Sequence, residues 1–337
     1  MNISTFKKMF NKMNEYIKRL EGKSNVFLSA KYGMGIVYNY ILYGASISDY
    51  FELRYYAKKS KEKRQYITSK EAFEFAKYVD GEEAIIRLNS KTEMYKRLRS
   101  YVKRDQLFLP ECCYDDFLDF TKRHGMFIYK PDTAECGRGI EKITVTRETD
   151  TKVLFNELKA KPAVLDECIS QHHLLEEFHP DSINTVRIYT LMIDDMCYLI
   201  AGFFRTGLGK SIVDNLGSGG VLAGIDLEKG ILLDDAIDEV GHKYTVHPDS
   251  GIPFKGFQIP NWEEILMFVK EAASHYELKY VGWDIAVREN DCVIVEANPD
   301  PMIHGIQSLA FGEYGRKNQY EALRQKLEYY RNPNDPI

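Results

Sequence analysis

"VGWDIAVRENDCVIVEANPDP" occupies residues 281–301. Val281, Trp283, Ile285 and Val287 alternate with smaller or polar residues, and so do Val293, Val295 and Ala297. Each set reads as the apolar face of a strand. A hairpin must bring both faces to the core side, because a slip of one residue inverts a strand. A three-residue loop, Glu289-Asn290-Asp291, satisfies this by pairing Arg288 with Cys292. Asn or Asp supplies the left-handed residue that such a loop needs. In that register Asp284 faces Glu296 and Gly282 faces Asn298, so three oxygen-bearing side chains share one surface. Like charges directly opposite destabilise a sheet, so a positive partner is expected between the two carboxylates. Mg²⁺ suits an all-oxygen set and usually takes one or two carboxylates plus substrate phosphates. Asp284, Glu296 and Asn298 are therefore candidate metal ligands, with Glu296 bridging two ions. The competing reading is a solvated sheet face with polar residues by chance.

A Mg²⁺ site of this kind calls for phosphates. In "MFIYKPDTAECGRGIEKITV" (126–145), Lys130 ends a strand and the loop Gly137-Arg138-Gly139 leads into another. Glycines let backbone N–H groups approach phosphate oxygens, and Lys130 and Arg138 add charge. A plain hairpin turn is the alternative, and the glycine spacing matches neither a Walker A loop nor a dinucleotide fingerprint. "VLDECISQHH" (164–173) offers a strand edge at Cys168 and Ile169 to a purine, with Glu167 as acceptor for its amino group. Arg187 and Arg205 lie inside apolar strands, where an arginine needs an anion, either a phosphate or a structural carboxylate. Asn215 sits in the glycine-rich turn "VDNLGSGG" at the same end. Cys136, in the loop, and His304, in "PDPMIHG", are read as incidental and as either structural or substrate-facing.

The rest of the chain sets the frame. Its 337 residues are 44% hydrophobic with a net charge of −5, enough for a core divided among lobes and unlike a basic nucleic-acid binder. The six cysteines form no C-x-x-C pair and no secretory signal precedes them, so reduced thiols in a cytoplasmic protein are expected. Residues 1–20 read as a basic amphipathic helix, docked internally or, as the sharper alternative, on a partner or membrane surface. "RYYAKKSKEKR" (54–64) reads as a solvated face, with attraction of an anionic substrate as the alternative. "TSKE" (68–71) and "SKTE" (90–93) are capping boxes that start helices near 69 and 91. Helices dominate up to about residue 120 and strands thereafter, apart from the helix 261–276 capped by Asn261.

In order, Lys91, Lys130, the Gly137/Gly139 loop, Glu167-Cys168-Ile169, Arg187, Arg205, Asn215 and Asp284…Glu296-x-Asn298 resemble the ATP-grasp superfamily. "SINTVRIYT", "GGVLAGIDLEKG" and "VGWDIAV…VIVEANPDP" resemble its sugar-transfer-associated group, linked to polysaccharide biosynthesis. The resemblance implies an α+β fold in which two lobes clasp ATP behind a helical N-terminal region. The expected division is 1–88 helical, 89–170 N-lobe with the lid loop, 171–330 C-lobe with the metal site, and 331–337 an irregular tail. It implies Lys91 and Lys130 on phosphates, two Mg²⁺ ions on the C-lobe, and Arg187 and Arg205 facing the transferred phosphoryl group. The acidic ribose contact of the family falls on Leu174 here, and Gln171 or His172 stands in for it. The implied activity joins a small-molecule or glycan acid to an amine through an acyl phosphate. The alternatives are a phosphotransferase and a nucleotide-binding module without turnover. No nucleic-acid partner and no integral membrane segment are expected.

Overall fold

The computed structural model describes residues 3–134 and 137–331. The expectations for Cys136 and for residues 332–337 lie outside them. The chain opens with α1 (Ile3–Glu21), α2 (Val26–Tyr43), α3 (Ile47–Glu52), α4 (Ser60–Lys63), α5 (Ser69–Asp80), α6 (Glu82–Leu88), α7 (Lys91–Arg97) and α8 (Arg99–Val102). Then come β1 (Gln106–Phe108), α9 (Tyr114–Arg123), β2 (Met126–Pro131), β3 (Glu141–Thr144), α10 (Thr151–Leu158) and β4 (Ala163–Glu167). The last part holds α11 (His173–Glu176), β5 (Val186–Ile193), β6 (Met196–Thr206), β7 (Val221–Gly224), β8 (Ala236–Ile237) and β9 (Lys243–Tyr244). It ends with α12 (Trp262–His275), β10 (Tyr280–Val287), β11 (Cys292–Asn298) and α13 (Lys317–Arg331).

The strands form two antiparallel sheets, one ordered β1-β4-β2-β3 and one ordered β11-β10-β5-β6-β7-β8-β9. In the first, Phe117, Phe120 and Phe155 of α9 and α10 pack on Phe127, Ala163 and Leu165. The second sheet is buried on both faces. Ile265, Val269 and Ala272 of α12 cover the side carrying Trp283 and Ile285. On the other side Phe75 and Val79 of α5 and Tyr320 of α13 cover Tyr280 and Leu191. The first three helices make their own core around Tyr16, Ile17, Tyr32 and Phe51.

Both capping positions begin helices as expected. Thr68 and Glu71 exchange the two reciprocal hydrogen bonds of the box, and the Ser90 hydroxyl accepts from Glu93 N–H. Asn261 does stand before α12, but in the left-handed region at φ 54° with no side-chain cap bond. Its carboxamide instead donates to the carbonyls of Arg288 and Glu289, both at 3.3 Å. The 54–64 segment is a solvated face only in part: Ala57, Lys59, Ser60, Lys61, Glu62 and Arg64 are exposed, and the others are not. Tyr55 is fully buried, Lys58 lies 2.5 Å from Glu313, and Lys63 rests over the rings of Tyr43 and Tyr55. Neighbouring tyrosines take up the basic stems, which spacing along one helix does not reveal.

The decisive hairpin reaches the expected site register by a different route. Asp284 pairs with Glu296 and Gly282 with Asn298. At the tip, however, Val287 rather than Arg288 faces Cys292. Arg288 closes a four-residue turn through its N–H on the Asp291 carbonyl at 2.8 Å and its guanidinium on the Asp291 carboxylate at 2.6 Å. A bulge then restores the register, because Ile285 faces Ile294 while Asp284 faces Glu296, leaving Val295 as the extra residue. The core side of β11 is accordingly Cys292, Ile294 and Ala297, and Val295 turns with Glu296 into the cleft described next. Bulges beside functional sites re-aim side chains in this way.

Candidate functional site

The two sheets face each other across a cleft of about 800 Å³ including its open mouth. Lys130, Asp166, Glu167 and Ile169 line it from the first sheet's side, with Lys91 and Tyr95 from α7. Arg205, Asp214, Asn215, Asp284, Val295 and Glu296 line the opposite wall. Ile128, Ile140, Ile183, Ile212 and Val213 supply apolar surface. A second cavity adjoins it and shares Lys91, Arg205, Asn215 and Glu296. Arg187, Asn298, Asp300, Glu52 and His304 line that second space.

Every buried cation here has a carboxylate. Arg187 forks onto Asp284, with Nε–Oδ1 at 2.5 Å and NH2–Oδ2 at 2.6 Å. Arg205 reaches the same carboxylate at 2.9 Å and Asp214 at 3.3 Å. Burial alone would raise the Asp284 pKa, but the two guanidiniums outweigh it and hold the group below the usual carboxylate range. Across the cleft Lys130 is 2.5 Å from Asp166, and Arg104 reaches that carboxylate at 2.7 Å. There too burial opposes ionisation, and Arg104 and Lys130 still lower Asp166 to about 2. Lys91 bridges the walls, with Nζ 3.0 Å from Glu296 and 2.7 Å from the Ala134 carbonyl in the loop before Gly137.

Backbone groups freed by the β11 bulge are satisfied from the opposite wall. Tyr95 donates its hydroxyl to the Val295 carbonyl at 2.9 Å, and Arg104 donates to the Ile294 carbonyl at 2.6 Å. The irregular strand is thereby tied to the elements carrying Lys91 and Lys130. Gly137, at φ 72°, sits so close to Asn215 that a Cβ would lie 2.7 Å from its side-chain oxygen. The loop thus rests directly on the far wall, in a conformation that glycine adopts without strain.

Among the residues named from sequence, the cleft and its neighbour gather Lys91, Lys130, Gly137, Glu167, Ile169, Arg187, Arg205, Asn215, Asp284, Glu296 and Asn298. Four fall outside. Arg138 and Gly139 are exposed. The Cys168 thiol points to the Met126 carbonyl at 3.6 Å. Gln171 is buried and spent on structure, donating to the Ser182 carbonyl at 2.9 Å and accepting from Asn184. His172, the other ribose stand-in, uses Nδ1 to accept from Leu174 N–H at 3.2 Å. The positive charge expected between Asp284 and Glu296 comes here from Arg187, Arg205 and Lys91. Asn298 donates to the Gly282 carbonyl at 3.0 Å.

Sequence reading missed Tyr95, Arg104, Asp166 and Asp214. Asp166 carried a usable signal: it is a charge inside the apolar strand "AVLDE", as telling as Arg187 in its own strand. Also missed was the setting of His304, buried between Asp49 at 2.7 Å and Glu52 at 3.1 Å. Burial alone would lower its pKa, yet the two carboxylates push it up to about 10. Among the described residues, His172, His173 and Glu289 bring potential metal-binding atoms within 4.8 Å of one another. Glu289 is already engaged by the N–H and ring of His173 at 2.8 and 2.9 Å, closing that cluster on itself.

No curated protein matches the chain. Among solved structures it is similar to the ATP-grasp ligase PsnB complexed with minimal precursor, Mg and ADP, at 16% identity and TM-score 0.44, covering 77% of this chain and 67% of that one. It is similar also to N5-carboxyaminoimidazole synthase from Aspergillus clavatus in complex with ADP, at 12% identity and TM-score 0.41, covering 70% and 51%. D-alanine–D-alanine ligase from Bacillus anthracis matches at 12% identity and TM-score 0.42, covering 74% and 70%. None of these likenesses carries a residue role to this chain. The family described as sugar-transfer associated ATP-grasp matches residues 113–318, more than half of the sequence. With both sheets and the cleft walls from Ile128 to Glu296 inside or beside that span, this chain belongs to the sugar-transfer associated ATP-grasp family.

Proposed function

We propose that the chain is an ATP-dependent ligase that activates a carboxylate as an acyl phosphate and passes it to an amine or similar nucleophile. One observation carries this reading: two cavities meet at Lys91, Arg205, Asn215 and Glu296. ATP occupies the first and the acid the second, so the γ-phosphoryl group lies at their junction. Ile128, Ile169 and Val295 flank the base, with Glu167 at its amino edge. Lys130, Lys91 and the Gly137 loop hold the phosphates, and Arg187 and Arg205 face the acid and the transferred group.

The paired charges constrain how the triphosphate enters. Each buried cation already has an acid, so the triphosphate must share those cations with Asp166, Asp284 and Glu296, and the negative charge it adds calls for a bound cation. Positioning and electrostatics then supply most of the catalysis. The donor set fits a hard cation: Glu296 is partly open to both cavities and Asn298 stands beside it. Asp284, now held by Arg187 and Arg205, would complete the set. Bound Mg²⁺ would neutralise charge on the triphosphate. The acid's carboxylate oxygen attacks the γ-phosphorus and ADP leaves. The amine nitrogen then attacks the acyl carbon, its bond to phosphate oxygen breaks, and the amine proton leaves to solvent. The family's association with sugar transfer favours a carbohydrate-linked acid or amine in cell-surface polysaccharide assembly.

The test is an ADP-release screen of the purified protein with paired acids and amines, with free phosphate measured alongside. ADP and phosphate released only when both substrates are present is the expected result. A phosphorylated acceptor without free phosphate would make it a phosphotransferase. Tight ATP binding with no turnover across the pairs would make it a binding module.

A further inference from the structure

The described residues leave 24 large hydrophobic side chains exposed, and eleven of them fall within the first 43 residues. Most lie on α2. Phe27, Met34, Tyr38 and Ile41 are 55–78% exposed. Together with Lys31 they recur at three- and four-residue steps and so share one helix face. The opposite face is the one used in folding, where Tyr32 and Asn39 are buried. An ordinary surface helix would be polar on its outer side; α2 is apolar on both.

α1 adds exposed apolar residues of its own. Its core stripe of Met13, Tyr16 and Ile17 is buried, but the preceding members Phe6, Met9 and Phe10 are exposed. Met13 lies 3.8 Å from where a side chain on Gly33 would begin, and Ser29 donates to Asn14 at 2.7 Å, so α2 packs against α1 after the short connection between Glu21 and Val26. Phe6 to Phe10 lie on the half of α1 away from that connection, as Tyr38 and Ile41 do on α2. Exposed Lys7 and Lys8 border the stripe. Residues 1–43 carry seven Lys or Arg against two Glu, a net of +5 in a chain of net −5.

We infer that the α1–α2 hairpin is a docking face for an anionic lipid bilayer. The hairpin lies in the headgroup region with Phe27, Met34 and Ile41 immersed, and Lys31 extends its stem so that the ammonium stays at the phosphates. Lys7 and Lys8 meet the surface potential. A second copy of the chain suits the face poorly, since it would bury two Lys31 side chains against each other. The attachment is peripheral: no helix among the described residues is long and apolar enough to cross a membrane.

The experiment is co-sedimentation of the full chain with vesicles of phosphatidylcholine alone and of phosphatidylcholine mixed with phosphatidylglycerol. Binding to the anionic vesicles alone, weakening as salt rises, is expected. Lys7→Gln with Lys8→Gln should weaken it roughly thirtyfold. Phe27→Asp with Ile41→Asp should abolish it. All four side chains are exposed, so unchanged circular dichroism and thermal unfolding serve as the control. The inference is overturned by failure to sediment with anionic vesicles at low salt, or by undiminished sedimentation of the aspartate variant. A concentration-dependent dimer that the aspartate variant dissolves would assign the face to a second copy instead.

Discussion

Asp284→Asn tests the charge network at the centre of the cleft. The substitution keeps size and shape but removes the only carboxylate ion-paired with Arg187 among the described residues, while Arg205 retains Asp214 at 3.3 Å. Arg187 is 8% exposed, and only the second cavity offers its charge any water. Removing one partner of a buried pair costs about 3–5 kcal/mol, and the surviving Asp214 contact argues for the lower end, about 3 kcal/mol. At roughly 2–4 °C per kcal/mol, the melting temperature should fall by about 6–12 °C. Scanning calorimetry or fluorimetry at pH 7 reads this directly. Adding Arg187→Met should recover most of the loss, because no stranded charge remains and an apolar side chain of similar length fills the space. A drop under about 2 °C, or a double variant no better than the single, would refute the claim that Asp284 is held by the two arginines.

Further outcomes are expected elsewhere in the cleft and beyond it. Glu296→Gln should cut ADP release by at least roughly a hundredfold while shifting the melting temperature little, since its Lys91 pair is partly solvated; full activity would remove Glu296 from the site. Lys130→Met should weaken ATP binding measured by calorimetry, because Arg104 remains to neutralise Asp166. Gly137→Ala forces a side chain into the left-handed region against Asn215, costing about 1 kcal/mol locally, and should raise the KM for ATP more than it lowers global stability. His304 is held protonated in the fold up to about pH 10. Its contribution is therefore complete below its unfolded value of about 6.5 and lost as pH rises through 10. Denaturant midpoints should fall across that window, and His304→Gln should flatten the fall while lowering stability throughout by leaving Asp49 and Glu52 unpaired.

Alternation along 281–298 was enough, as sequence, to put Asp284 opposite Glu296 and Gly282 opposite Asn298, because strand periodicity is local and burial of one face forbids a slip. The helix starts at Ser69 and Lys91 were legible for the same reason, since an N-cap hydroxyl finds its N–H within four residues, although only Thr68 completes the reciprocal box. The route to the register was not legible. The four-residue turn depends on Arg288 clasping Asp291, and the bulge at Val295 depends on Tyr95 and Arg104, which approach from another part of the chain. The partners of the buried charges were hidden likewise. Arg187 and Asp166 each announced that a counter-charge must exist, but which one it is rests on pairings of residues 97 and 36 positions apart. Gln171 shows the converse, since motif position proposed a ligand contact while Ser182 and Asn184 had already taken its polar atoms. The apolar outer face of α2 is written plainly in its sequence. Only the tertiary structure decided that the opposite side fills the core and leaves this one uncovered, because hydrophobicity demands burial without naming what provides it.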